Sequence, residues 1–125
     1  EVAAATAIVQ PVLTAGAEAA NAIAVTIDCK DLNGGAVSRT QRLHCQVYDA
    51  NMVESLVAAF TTAETGAGTE VSATAKPGLL IDTDANGDAT VTVTDAVGTF
   101  VGTVYLEVVP VNQAGTPNIL ALVFS

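Results

Sequence analysis

The residues best suited to chemistry lie in one short acidic segment, residues 82–88 (DTDANGD). Oxygen-bearing side chains at alternate positions followed by glycine are how an EF-hand calcium loop begins, because Ca²⁺ needs several oxygen ligands around a sharp bend. The twelfth position of such a loop should be Glu, and counted from Asp82 it is Val93. We therefore predict a turn in which Asp and Asn bond to the backbone. The weak candidate metal ligands are Asp82, Asp84, Asn86 and Asp88.

No other residues suggest a catalytic site. His44, the only histidine, could act as a general base, but it has no acidic or nucleophilic partner at a recognisable spacing. It lies within a predicted strand, so we expect an exposed or interfacial polar residue. No Gly-x-Ser-x-Gly motif occurs, and no glycine pair opens a helix as a phosphate-binding loop would. The sequence predicts no catalytic residue, no cofactor and no enzymatic activity.

The two cysteines, Cys29 and Cys45, both fall on the apolar phase of predicted strands. The favoured interpretation is a pair of buried free thiols acting as small hydrophobic side chains. A disulfide, which would indicate an oxidising compartment, is the alternative. A metal site is less favoured because His44 is expected on the opposite face from Cys45.

Charge limits the partners that the chain can have. Its 125 residues include 13 acidic and 4 basic side chains, for a net charge of −9. Phosphate backbones and anionic membranes repel such a chain, so we expect neither nucleic acid nor membrane as a partner. The length suits one domain, and half of the residues are apolar, which is enough for a core.

Alternating apolar and polar residues predict the strands that position the acidic segment. Residues 89–94 (ATVTVT) place two valines on one face and three threonines on the other. The Asn86-Gly87 pair between residues 79–83 and 89–94 predicts a β-hairpin. The other predicted strands cover residues 23–30, 40–48, 70–75, 104–108 and 119–124.

Three segments allow more than one interpretation. Residues 49–62 fit a helix of one to three turns, an irregular excursion, or a strand flanked by loop. Residues 1–22 contain Pro11 and are predicted as an extended N-terminal arm, part of which could be an edge strand. The last strand is apolar on both faces and is covered either by its own domain or by another molecule. The resulting interface candidates are Ile8, Val9, Val12, Leu120, Leu122 and Phe124.

About seven short strands with regularly spaced turns predict an all-β fold, an antiparallel β-sandwich of immunoglobulin-like type over residues 23–125. Three segments then resemble the immunoglobulin-like domains of tailed-bacteriophage virion proteins. Residues 25–37 (VTIDCKDLNGGAV) are similar to their VTVQVKDADGNAV opening, and residues 80–93 (LIDTDANGDATVTV) to their TDANG strand pair. Residues 104–108 (VYLEV) resemble their wYLeV strand, with Val104 where Trp is common.

The resemblance spans residues 13–124 and implies a virion module that works by binding. A capsid decoration or head-associated protein is the leading expectation, with the major capsid protein or other virion subunits as partners and a homo-oligomer as its form. The alternative is a tail or tail-fibre adhesion module that binds a host-surface carbohydrate, with or without Ca²⁺. The family contributes no catalytic residues.

Overall fold

The computed structural model describes residues 8–49, 60–72, 78–111 and 115–125. Within these ranges the chain forms nine β-strands and no helix. The strands are β1 (Gln10–Ala15), β2 (Ala22–Lys30), β3 (Arg42–Tyr48), β4 (Phe60–Glu64), β5 (Thr69–Ser72), β6 (Gly78–Asp82), β7 (Asp88–Asp95), β8 (Gly102–Pro110) and β9 (Asn118–Phe124).

The strands form two antiparallel sheets that face each other. In the described residues, one sheet has the order β1-β2-β7-β4 and the other has the order β5-β6-β3-β8-β9. The predicted all-β, immunoglobulin-like sandwich is confirmed, with nine strands in place of about seven. Alternate residues of each strand point into the space between the sheets, as the period of a strand requires.

The inward residues form one apolar core. Val25, Ile27 and Cys29 of β2 face Leu43, Cys45 and Val47 of β3, and all six are buried as the alternation predicts. Ile23 of β2 is also buried, and the other strands contribute Phe60, Leu79, Ile81, Ala89, Val91, Val93, Val104, Leu106, Val108, Leu122 and Phe124.

The hairpin predicted at Asn86-Gly87 is wrong. Strand β6 belongs to the five-stranded sheet and β7 to the four-stranded sheet, so the turn carries the chain across the core instead of pairing the two strands. The Asn-Gly signal describes only the bend. The pairing itself is long-range: β6 pairs with β3, and β7 pairs with β2 and β4. Strands β2 and β3, on either side of Asn33-Gly34, are likewise in different sheets.

Part of the predicted N-terminal arm is the edge strand β1, which pairs with β2 from Gln10↔Lys30 to Ala15↔Val25. An edge position tolerates Pro11, which lacks an amide to donate. The same segment also reaches the other sheet: Val9 forms a parallel bridge with Gly115, and Asn118 Nδ2 donates to the Pro11 carbonyl at 2.7 Å. This segment therefore ties the two sheets together along one side.

For residues 49–62 the sequence left a helix, an irregular excursion and a strand flanked by loop open. At the C-terminal end the strand is correct and the helix is wrong. Phe60 and Thr62 point inward on β4, which pairs with β7 from Phe60↔Asp95 to Glu64↔Val91. The helical spacing of apolar residues gave no information on this pairing, because it depends on a strand about thirty residues further along the chain. Residues 50–59 lie outside the described residues. The strand predicted over 70–75 appears as β5, and its residues 73–75 also lie outside them.

Candidate functional site

The acidic segment forms a turn in which Asp84 is a structural residue. Its Oδ1 accepts the backbone N–H of Asn86 at 2.8 Å and that of Asp88 at 3.0 Å. The Gly87 amide donates to the Asp84 carbonyl at 3.0 Å. Asp and Asn side chains favour such turns because they satisfy nearby amides. The predicted turn chemistry is confirmed for Asp84, one carboxylate oxygen of which is engaged with two amides.

Gly87 is required by both conformation and space. Its φ is +80°, a region that L side chains rarely adopt. A Cβ at this position would collide with the Val37 carbonyl oxygen, and the Gly87 carbonyl accepts the Cys29 amide at 3.0 Å. The glycine therefore allows the turn to lie directly against the β2 end and the following loop.

The other acidic candidates turn to different partners. Asp82 forms a bidentate ion pair with Arg42 on the outer face of β3 and β6, with N···O distances of 2.8 and 3.0 Å. The hydrogen bond from Arg42 lowers the pKa of Asp82. Asp88 lies directly across from Asp28 on β2, and Asp28 pairs with Lys30 at 3.0 Å. Partial burial and the neighbouring Asp28 raise the pKa of Asp88.

The four weak candidates thus do not converge on a common point. Asp82 faces Arg42, Asp84 bonds within the turn, Asn86 is exposed, and Asp88 faces Asp28. Within the described residues, no group of three or more His, Cys, Asp and Glu side chains is placed to hold a metal ion. The acidic segment acts as a connection between the sheets.

A second structural carboxylate, that of Asp95, was not predicted from the sequence. This buried carboxylate accepts the Val97 amide at 3.1 Å through Oδ1 and the Phe100 amide at 2.7 Å through Oδ2. The Phe100 amide, with smaller contributions from those of residues 97–99, lowers the pKa of Asp95. The loop after β7 is therefore folded around one side chain. The Asp at the end of an alternating strand, followed by Gly98, was the available signal.

The Asp95 loop also completes an aromatic cluster. Phe60, Phe100 and Phe124, all the phenylalanines of the chain, contact one another edge to face, with centroid separations of 5.2, 5.2 and 6.2 Å. Edge-to-face geometry is the favourable arrangement of aromatic quadrupoles. The cluster joins β4, β9 and the loop after β7, and so fixes that end of the sandwich.

The other polar candidates are separated from one another. Cys29 and Cys45 are buried in the core with free thiols, and burial raises the pKa of each to about 12. Such thiols are unreactive at neutral pH, since the thiolate is the nucleophile. His44 is exposed on the outer face of β3, between Leu80 of β6 and Val109 of β8.

The interface candidates predicted on β9 lie on the face of the strand that turns towards the core. Leu122 and Phe124 are core residues, and Leu120 is half-buried and packs against the core, so these three are not a free surface. On β9 the outward residues are instead Ile119, Ala121 and Val123. Alternation could not predict which face of this strand is buried, because both of its faces are apolar.

The N-terminal candidates also differ in exposure. Val9 is fully buried and Ile8 is half-buried, while Val12 is exposed on the outer face of β1. Elsewhere in the described residues the most exposed large apolar side chains are Val101, Val97, Val123 and Leu32. Within the same ranges no helix is long and apolar enough to cross a membrane.

No protein-family profile matches the chain, and no curated protein matches it in sequence. Solved structures match it in fold. A part of the Yersinia pseudotuberculosis adhesin InvE superposes with a TM-score of 0.58 at 19% identity, covering 94% of this chain and 32% of the adhesin. A part of the Parabacteroides merdae β-glucuronidase superposes with a TM-score of 0.50 at 13% identity, covering 92% of this chain and 12% of the enzyme.

The chain therefore spans at most about a third of the length of these proteins. At such low identity the similarity describes the fold alone: an immunoglobulin-like sandwich that occurs as one part of larger proteins.

Proposed function

We propose that the chain is a non-enzymatic structural protein of a bacteriophage virion, a capsid decoration or head-associated protein that binds neighbouring subunits on the particle surface. The observation that carries the proposal is the contrast between its polar and apolar groups. The acidic residues of the one chemistry-like segment bond within the fold, whereas Ile119 and Val123 lie exposed on an outer sheet face. Together with the exposed Ala121 between them they form a contiguous apolar strip, and contiguous exposed apolar patches mark binding surfaces.

The resemblance of residues 25–37, 80–93 and 104–108 to virion domains gives the proposal its class. These segments become β2 with its following loop, the β6–turn–β7 crossing, and β8. These segments are strands and turns of the framework, so they support the class of domain that we propose. The binding partner has to be inferred from the exposed surface instead. The partners that we propose are the major capsid protein, other virion subunits and further copies of the chain.

Particle labelling tests this function. Antibodies against the purified chain, coupled to gold, are applied to phage particles banded from cultures of the organism that encodes the chain. We expect the chain in the particle band and label on the heads in negative-stain images. A particle band that lacks the chain would overturn the proposal.

A second candidate is a tail or tail-fibre adhesion module that binds a host-surface carbohydrate. The observation that favours it is a pair of half-buried tyrosines, Tyr48 and Tyr105, directly opposite each other on the outer face of β3 and β8. Gln46 and Glu107 form the neighbouring pair and would supply hydrogen bonds. Label on the tail and glycan-array binding that Tyr105→Ala abolishes would favour this candidate.

A further inference from the structure

We infer that Asn33 is a site of spontaneous deamidation and that the fold protects Asn86, the other asparagine that is followed by glycine. The two Asn-Gly pairs of the chain are residues 33–34 and 86–87. Deamidation turns a neutral side-chain amide in the loop between β2 and β3 into a carboxylate. The inference goes beyond the proposed function, because it concerns the covalent chemistry of the chain and involves no partner.

The reaction needs a backbone nitrogen that can reach the side chain of the residue before it. The Gly34 nitrogen gives its proton to solvent and bonds to Asn33 Cγ, and the Cγ–Nδ2 bond breaks as ammonia leaves. Glycine favours this ring closure because it has no side chain to hinder the nitrogen. Water then opens the five-membered succinimide. Addition at Cγ gives aspartate, and addition at the main-chain carbonyl gives isoaspartate, in which the chain runs through Cγ.

The two asparagines occupy the same position in two turns of the same geometry. Asp31 Oδ1 accepts the Asn33 amide at 2.9 Å and the Gly35 amide at 2.8 Å, just as Asp84 Oδ1 accepts two amides in the second turn. The Gly34 amide donates to the Asp31 carbonyl at 3.1 Å, which matches the 3.0 Å bond at the corresponding glycine. Local sequence and local bonding are therefore alike, and any difference in reactivity comes from the surroundings.

The surroundings of the two glycines differ. Gly34 is exposed, and nothing lies within 4 Å of the position that its Cβ would take. Gly87 is buried, packs against the Val37 carbonyl oxygen, and accepts the Cys29 amide at 3.0 Å through its own carbonyl. The attacking nitrogen has to lose its proton to solvent. Gly34 meets water once a single hydrogen bond opens, whereas Gly87 must also leave its packing against β2 and the following loop.

Opening the first turn disturbs only an exposed loop. Residues 32–36 are all exposed, and the bonds that close the turn lie within residues 31–35. The second turn runs directly from the buried Thr83 into β7, which begins at Asp88. Exposed loops open at a small cost in free energy, while segments packed on the core open only with larger units of structure. The succinimide can therefore form at Asn33 in the folded chain.

The two products affect the turn differently. Aspartate has nearly the shape of asparagine and leaves the bonds of residues 31–35 in place. Isoaspartate adds one carbon to the main chain, so Asp31 Oδ1 can no longer accept both of its amides in the present geometry. Either product adds a negative charge to a chain whose net charge is −9. The chain therefore acquires forms that differ in charge and in the shape of this loop.

Peptide mapping of the full folded chain, aged in mildly alkaline buffer, tests the inference. Trypsin releases residues 31–39, in which Asn33 carries the only side-chain amide, and a protease that cuts before aspartate releases residues 84–87. Mass spectrometry should show conversion of Asn33 at least about tenfold faster than that of Asn86, because the second turn opens less often. The same chain unfolded in urea is the control, and there the two rates should become similar.

Variants separate the two sites. Asn33→Ser should abolish the acidic form that ion-exchange chromatography detects in the aged folded chain, and the matched variant Asn86→Ser should leave that form unchanged. A methyltransferase specific for isoaspartate should label the aged folded chain within residues 31–39. Equal conversion at both sites in the folded chain, an Asn33 that converts only in urea, or an acidic form that survives Asn33→Ser would overturn the inference.

Discussion

One aspartate holds the turn between β6 and β7, and another holds the loop between β7 and β8. Each accepts backbone amides of its own segment. Asp84 holds the first through Oδ1 alone, which accepts two amides in a partly exposed position. Asp95 holds the second with both carboxylate oxygens, is buried, and positions the amide of Phe100, whose ring joins the aromatic cluster. The acidic motif that is easier to recognise in the sequence is therefore the one with fewer contacts to the rest of the fold. The four substitutions below test this difference.

The largest effect should come from Asp95→Ala. The change leaves the Val97 and Phe100 amides without their acceptor and removes the anchor of Phe100 in the cluster. Urea unfolding should show a loss of stability clearly greater than that of Asp84→Ala. If the two variants lose the same stability, the two aspartates are equivalent and the comparison fails.

Gly87→Ala should follow, with a loss of about 2 kcal/mol in unfolding free energy. The alanine would have to adopt a φ of +80° and its Cβ would meet the Val37 carbonyl oxygen. Gly34→Ala is the matched control, because Gly34 has a φ of +84° and open space around its Cβ position. The control should lose less. Equal losses would show that conformation alone, without the contact to Val37, sets the requirement for glycine.

Asp84→Ala should lose about 1 kcal/mol, because water can partly replace the lost acceptor of two amides in this partly exposed turn. Because the carboxylate serves the turn, the loss should be the same with Ca²⁺ as with a chelator, as measured by thermal unfolding. A chelator-reversible stabilisation of the wild type by Ca²⁺ that the variant lacks would restore the segment as a calcium site.

The smallest effect is on how stability depends on pH, and it has opposite signs for Asp95 and Asp88. The lowered pKa of Asp95 means that its contribution is present above the ordinary carboxyl pKa and is lost as pH falls through the lowered value. The raised pKa of Asp88 means that its contribution favours folding below the ordinary carboxyl pKa and is lost as pH rises through the raised value.

Asp88→Asn should therefore stabilise the fold slightly at neutral pH, by about 0.3 kcal/mol, since it relieves the repulsion from the cross-strand Asp28. The gain should vanish near pH 3, where Asp88 itself is protonated. Thermal unfolding of both proteins from pH 3 to pH 7 measures it. A variant that is less stable at neutral pH would show that Asp88 is needed as an acceptor.

The local properties of the chain could be predicted from sequence because they depend on near neighbours. Alternation assigned the inward residues of β2, β3, β7 and β8 correctly, since successive side chains of a strand point to opposite faces. The turn at Asp84 followed from short-range bonds between a side chain and the amides two and four residues ahead. The two-sheet architecture followed from the number of half-apolar strands, which must bury one face each.

The partners of each strand were decided only by tertiary structure. Asn86-Gly87 specifies a bend, but β6 pairs with β3, and β7 pairs with β2 and β4. A turn signal depends on neighbouring residues and carries no information on such long-range pairings. The phase of β9 was open for the same reason: a strand apolar on both sides has no internal signal of which face is buried. Its pairing with β8 chose Leu122 and Phe124 for the core and left Ile119 and Val123 outside.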